Sequence, residues 1–385
     1  MTARTRPLVS TLMILALIAF FSTAASAGGS QEQATDHHHD DHHHEADHHH
    51  DDHDDHDHHH DDHHHDDHHH DGVMAIPHIS PVSLGAGERL RVIASTSIIG
   101  DVVGQVAGTA ADVTVLMPIG QNPHAYQPTP RAMGQVERGH VVFVNGLDLE
   151  EGLMDAIDRI ATGYVVPVSA GITVLGVDDD HDDHHDHDHD DHHDDHHDHD
   201  HDHAHGDPHF WFSPRNVIVW TENIAHALSH ADPANNETYR ANAAAYIAEL
   251  EALDLEIRTK VNRIPRAERK LVADHVALTY FAADYGFEII GEVVPGTSDQ
   301  VEPSARHIAD LSRAVRDQDI RAIFVGGTAN RGLRNLVQTV AAETGRDIHI
   351  GEILTGSLTP AGSRGDTYLD FMRYNAEQIT GALAR

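Results

Sequence analysis

From residue 89 onward the chain alternates short β-branched apolar runs with amphipathic stretches of helical period, and the alternation recurs to its end. Runs at 89–96, 112–117, 140–145 and 164–169 predict strands, and patterns at 98–107, 130–138 and 149–161 predict the helices between them. A second series repeats the rhythm, with strands at 270–274, 288–293, 322–325 and 347–353 and helices at 278–285, 304–316, 331–344 and 367–383. Between the two series lie a helix from Pro214 to about Ser229 and a longer one from Glu237 to about Val261, which has no internal Gly or Pro. Asn235 and Asn236 stand where they can cap the longer helix, and Pro265 closes it. Strand alternating with helix over about 30 residues implies βαβ crossovers. The expected fold is therefore α/β: two lobes with parallel sheets, joined by one long helix, with a cleft where strand carboxyl ends present loops.

Two stretches break the pattern. Residues 36–71 and 178–207 are almost pure Asp and His and hold 33 of the 42 histidines, since nine lie elsewhere. Neither residue type supplies the apolar surface that would offset the entropy of ordering, which predicts disorder for both. Their interleaved Asp sets them apart from an expression tag. They also distort the charge: the formal value is −38, but the tracts carry 30 of the 63 acidic residues, leaving 33 acids against 25 bases, about −8. That is ordinary for a soluble protein. With no basic stripe to neutralise phosphates, nucleic acid is not an expected partner.

At the amino terminus Arg4 and Arg6 precede an apolar run over 8–21, and Ala25, Ser26 and Ala27 offer a cleavage point, which predicts a signal peptide at 1–27. The run falls short of the roughly 20 residues a membrane span needs. Cysteine is absent, so the exported chain would use no disulfide and offers no thiol for a lipid anchor. The expected location is periplasmic and free of the membrane. Residues 28–88 are the Asp/His-rich segment, ending in a linker at 77–87; 89–235 are the amino-terminal lobe with its loop at 178–207; 236–265 are the linking helix; 266–385 are the carboxy-terminal lobe.

The histidines outside the tracts are His78, His124, His140, His209, His226, His230, His275, His307 and His349. His226 and His230 stand one helical turn apart beside Thr221, Glu222 and Asn223, which reads as a solvated face rather than a metal pair. His140 and His349 at strands, His78 in the linker and His307 on a helix read as structural. Three differ. His124 lies in a proline-studded loop right after a strand, His209 follows Pro208 and precedes the large apolar anchors Phe210 and Trp211, and His275 directly follows a strand. Asp366, just before a helix, is a fourth candidate, with a helix-cap role as its alternative.

Four segments carry a resemblance: Pro-His-Ala-Tyr-Gln-Pro-Thr-Pro at 123–130, Asp-Pro-His-Phe-Trp at 207–211, the run opening at His275 and ending at Gly286, and Gly-Asp-Thr-Tyr-Leu-Asp-Phe-Met-Arg-Tyr-Asn at 365–375. In this order they resemble the zinc/manganese solute-binding proteins of bacterial metal ABC transporters, from about Leu90 to the end. The resemblance implies one metal between two lobes, with His124 and His209 as ligands from the first and His275 and Asp366 from the second. It also implies a partner permease in the membrane, and a metallochaperone is a further candidate partner; the chain is expected to act as a monomer. The tract at 178–207 sits where zinc-handling members carry a His-rich loop. Two features depart from the family: the disulfide some zinc members have in the second lobe is missing, and the tract at 36–71 is not general.

Three imidazoles and one carboxylate form a borderline, tetrahedral set suited to Zn²⁺, whereas manganese members of the family show more carboxylate ligands. His275 tips the choice to zinc. Cu²⁺ binds such a set more tightly, so selectivity rests on geometry and supply. The expected function is therefore high-affinity capture of Zn²⁺ outside the inner membrane for delivery to the permease. The alternative is a metal buffer acting mainly through its tracts. A zinc hydrolase would need an open coordination position and a general base, and no HExxH pattern occurs. No enzymatic activity is expected.

Overall fold

The computed structural model describes residues 74–176 and 206–384, which belong to one compact unit. The expectations for the signal peptide at 1–27, the tract at 36–71 and residues 178–205 of the second tract lie outside the described residues.

All eight expected strands form. They are β1 (Leu90–Ala94), β2 (Ala111–Val115), β3 (Val141–Val144), β4 (Tyr164–Pro167), β5 (Lys270–Ala273), β6 (Glu288–Glu292), β7 (Ala322–Gly326) and β8 (His349–Ile353). They make two four-stranded sheets, ordered β2-β1-β3-β4 and β6-β5-β7-β8, and every pairing is parallel. The two sheets share one topology. The inner strands β3 (VVFV) and β7 (AIFVG) are buried throughout, as strands covered on both faces by helices must be. The edge strands β2, β6 and β8 carry polar positions.

The helices are α1 (Ser97–Ala107), α2 (Pro130–Arg138), α3 (Glu151–Ile160), α4 (Pro214–Ala231), α5 (Asn236–Val261), α6 (Thr279–Tyr285), α7 (Ala305–Asp317), α8 (Arg331–Glu343) and α9 (Tyr368–Leu383). Their starts are chemical as well as periodic. Thr96, Thr129, Ser213, Ser304, Asn330 and Thr367 each accept a backbone N–H with the side-chain oxygen, a contribution of about 1 kcal/mol apiece.

The long helix α5 spans 26 residues, about 39 Å at 1.5 Å per residue. Its buried stripe of Tyr239, Ala243, Tyr246, Leu250, Leu253, Ile257 and Val261 repeats at three- and four-residue spacing. Along it α5 meets α1 and α4 of the first lobe and α9 of the second, so one rigid element supports both sheets. Asn235 does not cap it with its side chain. The Asn235 amide donates to Asp232 Oδ2 at 2.7 Å, which also accepts from Tyr239 Oη at 2.9 Å. A 3₁₀ turn at Pro233–Asn235 runs straight into α5, leaving no break for an Asn cap. The main hydrophobic core is continuous between the lobes, joining Val92 and Phe143 through Trp211 and Phe212 to Phe324 and Phe371.

Candidate metal centre between the sheets

His124, His209 and His275 come together where the loops leaving the two sheets meet, their ligand nitrogens all within 4.8 Å of one another. Each arrives by a different local device. His124 sits in a 3₁₀ turn, Pro123–Ala125, whose proline presets the turn and whose start is capped by Asn122: the Asn122 Oδ1 accepts from His124 N at 3.1 Å. The loop rides against the second lobe, since a Cβ at Gly356 would stand 2.4 Å from Pro123 Cδ.

His209 is 1 % exposed and is held by Asp207. One oxygen, Asp207 Oδ1, accepts both from His209 N at 2.9 Å and from Nδ1 at 2.7 Å. Asp207 is itself tied to the second lobe, where Thr279 N donates to Oδ2 and Tyr280 Oη donates to the backbone carbonyl. Beneath the loop, Asn145 Nδ2 donates to Pro208 O at 2.9 Å, and Asn145 N donates to the buried Glu150, whose carboxyl is pushed up by burial.

His275 repeats the device in fewer residues. Asp274 Oδ1 accepts from His275 N at 3.0 Å and from Nδ1 at 2.9 Å, while Asp274 Oδ2 accepts from Gly326 N at 2.7 Å. A carboxylate on Nδ1 assigns the proton there and turns Nε2 inward.

The three Nε2 atoms therefore face one another, with His209 Nε2 3.1 Å from that of His124 and 3.4 Å from that of His275. Two nitrogens held about 2.0–2.1 Å from a tetrahedral zinc are about 3.3–3.4 Å apart. The observed spacings match that edge. Three inward lone pairs at this distance repel unless a cation or proton lies between them.

Electrostatics divide the triad. Burial and the two neighbouring imidazoles drive His124 down to about 2, and burial lowers His209 even though Asp207 opposes it. Burial also acts against a proton on His275, but Asp274 outweighs it and the pKa rises above the usual 6.5. A metal must therefore displace a proton chiefly from His275. Apparent affinity should fall about tenfold per pH unit below the raised His275 pKa, so the decline begins above about pH 6.5. Metal titrations between about pH 8 and 5.5 check this, and a flat profile would contradict it.

Asp366 stands apart from the triad. Its carboxylate accepts from Gly362 N at 2.7 Å, and the cap of α9 is Thr367, which accepts from Asp370 N. His226 and His230 lie exposed on α4 with ring centroids 4.4 Å apart. His140 Nδ1 accepts from Arg91 N, His307 Nε2 donates to Glu292 O, and His78 is exposed. Asp207 and Asp274, the two carboxylates that orient imidazoles, were not singled out from sequence. Their signal was an Asp one or two residues ahead of the His in both motifs.

Residues 92–382 match the family described as "Zinc-uptake complex component A periplasmic". A manganese-binding lipoprotein of Halalkalibacterium halodurans is 32% identical over 299 residues, covering 78% of this chain and 90% of that protein. An iron ABC transporter substrate-binding lipoprotein of Streptococcus pyogenes is 29% identical over 305 residues, covering 77% and 90%. Among solved structures, the Mn-bound periplasmic metal binding protein of Candidatus Liberibacter asiaticus aligns with a TM-score of 0.64 at 26% identity, over 77% of this chain and all of that one. The periplasmic zinc binding protein of Treponema pallidum shares the fold, with a TM-score of 0.67 at 24% identity and the same coverage. This chain thus belongs to the zinc-uptake component A family, the periplasmic metal-binding subunits of ABC transporters, which bind a substrate for a permease and are not enzymes.

Proposed function

We propose that this protein captures Zn²⁺ outside the inner membrane and delivers it to an ABC permease, with His124, His209, His275 and Asp366 as the ligands. The observation that carries the reading is the convergence of three Nε2 atoms, drawn from both lobes, at zinc-like spacing. Relatives are named for manganese and iron as well as zinc. The choice among them rests on donor type, since three imidazoles suit Zn²⁺ better than the harder Mn²⁺. Asp366 completes the set by leaving Gly362 N for the metal. Gly362 and Gly365, both at positive φ near +85°, bracket it and give the turn that freedom. The manganese and iron relatives are named lipoproteins, whereas this sequence contains no cysteine, which favours a free periplasmic protein.

A second reading, metal buffering, is favoured by the 33 histidines in the tracts, 42 less the nine elsewhere. Interleaved Asp and His give many overlapping donor sets, each with few ligands. Calorimetric titration of the protein lacking both tracts, with Zn²⁺ and then Mn²⁺, separates the readings. The capture reading predicts one tight zinc equivalent, weaker manganese binding and the loss of several weak zinc equivalents. Loss of the tight equivalent would make the protein a buffer, and tighter manganese would reverse the metal assignment.

A further inference from the structure

We propose that Asn122 and Asp299 form a clasp between the lobes that holds His124 on the metal and sets how slowly the metal leaves. The inference rests on the metal-capture reading and adds two residues to it.

The triad is unevenly supported. His209 and His275 are almost fully buried, and each has a carboxylate on Nδ1. His124 is only half-buried, and among the described residues no side chain is bonded to its Nδ1. Its position is therefore set through its backbone, and that backbone is held by Asn122. The same amide reaches across the cleft: Asn122 Nδ2 donates to Asp299 Oδ1 at 2.8 Å and to Oδ2 at 2.9 Å. Asp299 lies in the loop between β6 and α7 of the other lobe, 7 % exposed, and takes a further bond from Gln300 Nε2 at 2.6 Å. One side chain thus links the His124 turn to the opposite sheet and holds His124 through its backbone, where Asp207 and Asp274 hold the rings of their own histidines as well.

Position and chemistry together assign the role. His124 is the most exposed of the three imidazoles, so a departing metal leaves past that residue. Withdrawing His124 with its turn breaks both amide–carboxylate bonds, which are charge-assisted and half-buried. Gly120 N, two residues ahead of Asn122, also donates to Ser357 Oγ of the second lobe at 2.7 Å but makes no bond to His124; the bonds from Trp211 Nε1 to Thr355 O and from Leu358 N to Ser97 Oγ, at the start of α1, lie elsewhere. Neither touches the His124 turn. Asn122 is a positioning residue, and its effect belongs in the dissociation rate.

A reciprocal exchange tests this in the full chain. Protein loaded with one equivalent of Zn²⁺ is mixed with excess chromogenic chelator in a stopped-flow instrument. The slow phase of release reports the three-histidine centre, and His124→Ala should remove it. Asn122→Asp sets two carboxylates face to face while keeping an acceptor for His124 N, and should speed the slow phase at least tenfold. The added negative charge alone would retard the loss of a cation, so faster release cannot come from charge. Asn122→Asp combined with Asp299→Asn restores one amide and one carboxylate with the wild-type net charge, and should return the rate to within about threefold of wild type. Asn122→Ala gives the same reading as Asn122→Asp should the latter fold poorly. Wild-type release from both single variants at Asn122, or a double variant as fast as Asn122→Asp, overturns the clasp alone. A wild-type chain with no slow phase overturns the capture reading and the clasp with it.

Discussion

Replacing His275 with alanine is expected to weaken zinc binding by well over tenfold. The substitution removes one of three nitrogens already held at zinc-like spacing, and no other donor among the described residues lies in the group. It also removes the imidazole that occupies Asp274 Oδ1, leaving a carboxylate 1 % exposed with only its backbone donors. Loss of a charge-assisted partner by a buried group costs about 1–3 kcal/mol. The metal-free variant should therefore melt earlier as well. Calorimetric zinc titration of the tract-free protein, paired with a melting curve, reads both effects. Unchanged tight affinity would remove His275 from the site.

The second large effect is expected at Trp211. Trp211 is 2 % exposed, its ring lies 5.1 Å from that of His209, and its Nε1 donates to Thr355 O across the lobes at 2.9 Å. Its carbonyl in turn accepts from Tyr368 Oη at 2.8 Å. Truncating a buried tryptophan to alanine costs about 3–5 kcal/mol through lost burial and the cavity left behind. Because the ring packs on His209, looser metal binding should accompany the loss. Denaturant unfolding of Trp211→Ala measures the first effect. A change below about 1 kcal/mol would mean that the ring does not join the lobes as described.

The fold was legible because its signals are local and periodic. Runs such as Val141–Val144 and Ala322–Gly326 are apolar on both faces, and this identifies inner parallel strands without any partner being known. The stripe on α5 likewise marks a helix buried along one side. The three histidines were legible for a related reason, since each sits at a strand end or a proline-set loop. What escaped depends on contact across the cleft. Asn122 and Asp299 are 177 residues apart, and nothing near either one names the other. Asp366 shows the same limit from the opposite side: its segment was recognisable, but its bond to Gly362 N follows from the course of one turn. The Asn235 side chain turned to Asp232 because a 3₁₀ turn ahead of α5 removed the break that an Asn cap requires.

The proposed site holds one zinc ion among His124, His209 and His275. Diffraction at the zinc edge from crystals grown with a single equivalent of zinc tests it most directly. One dominant anomalous peak is expected about 2.0–2.1 Å from each of the three Nε2 atoms. A dominant peak elsewhere on the folded lobes, or none between these imidazoles, would contradict it.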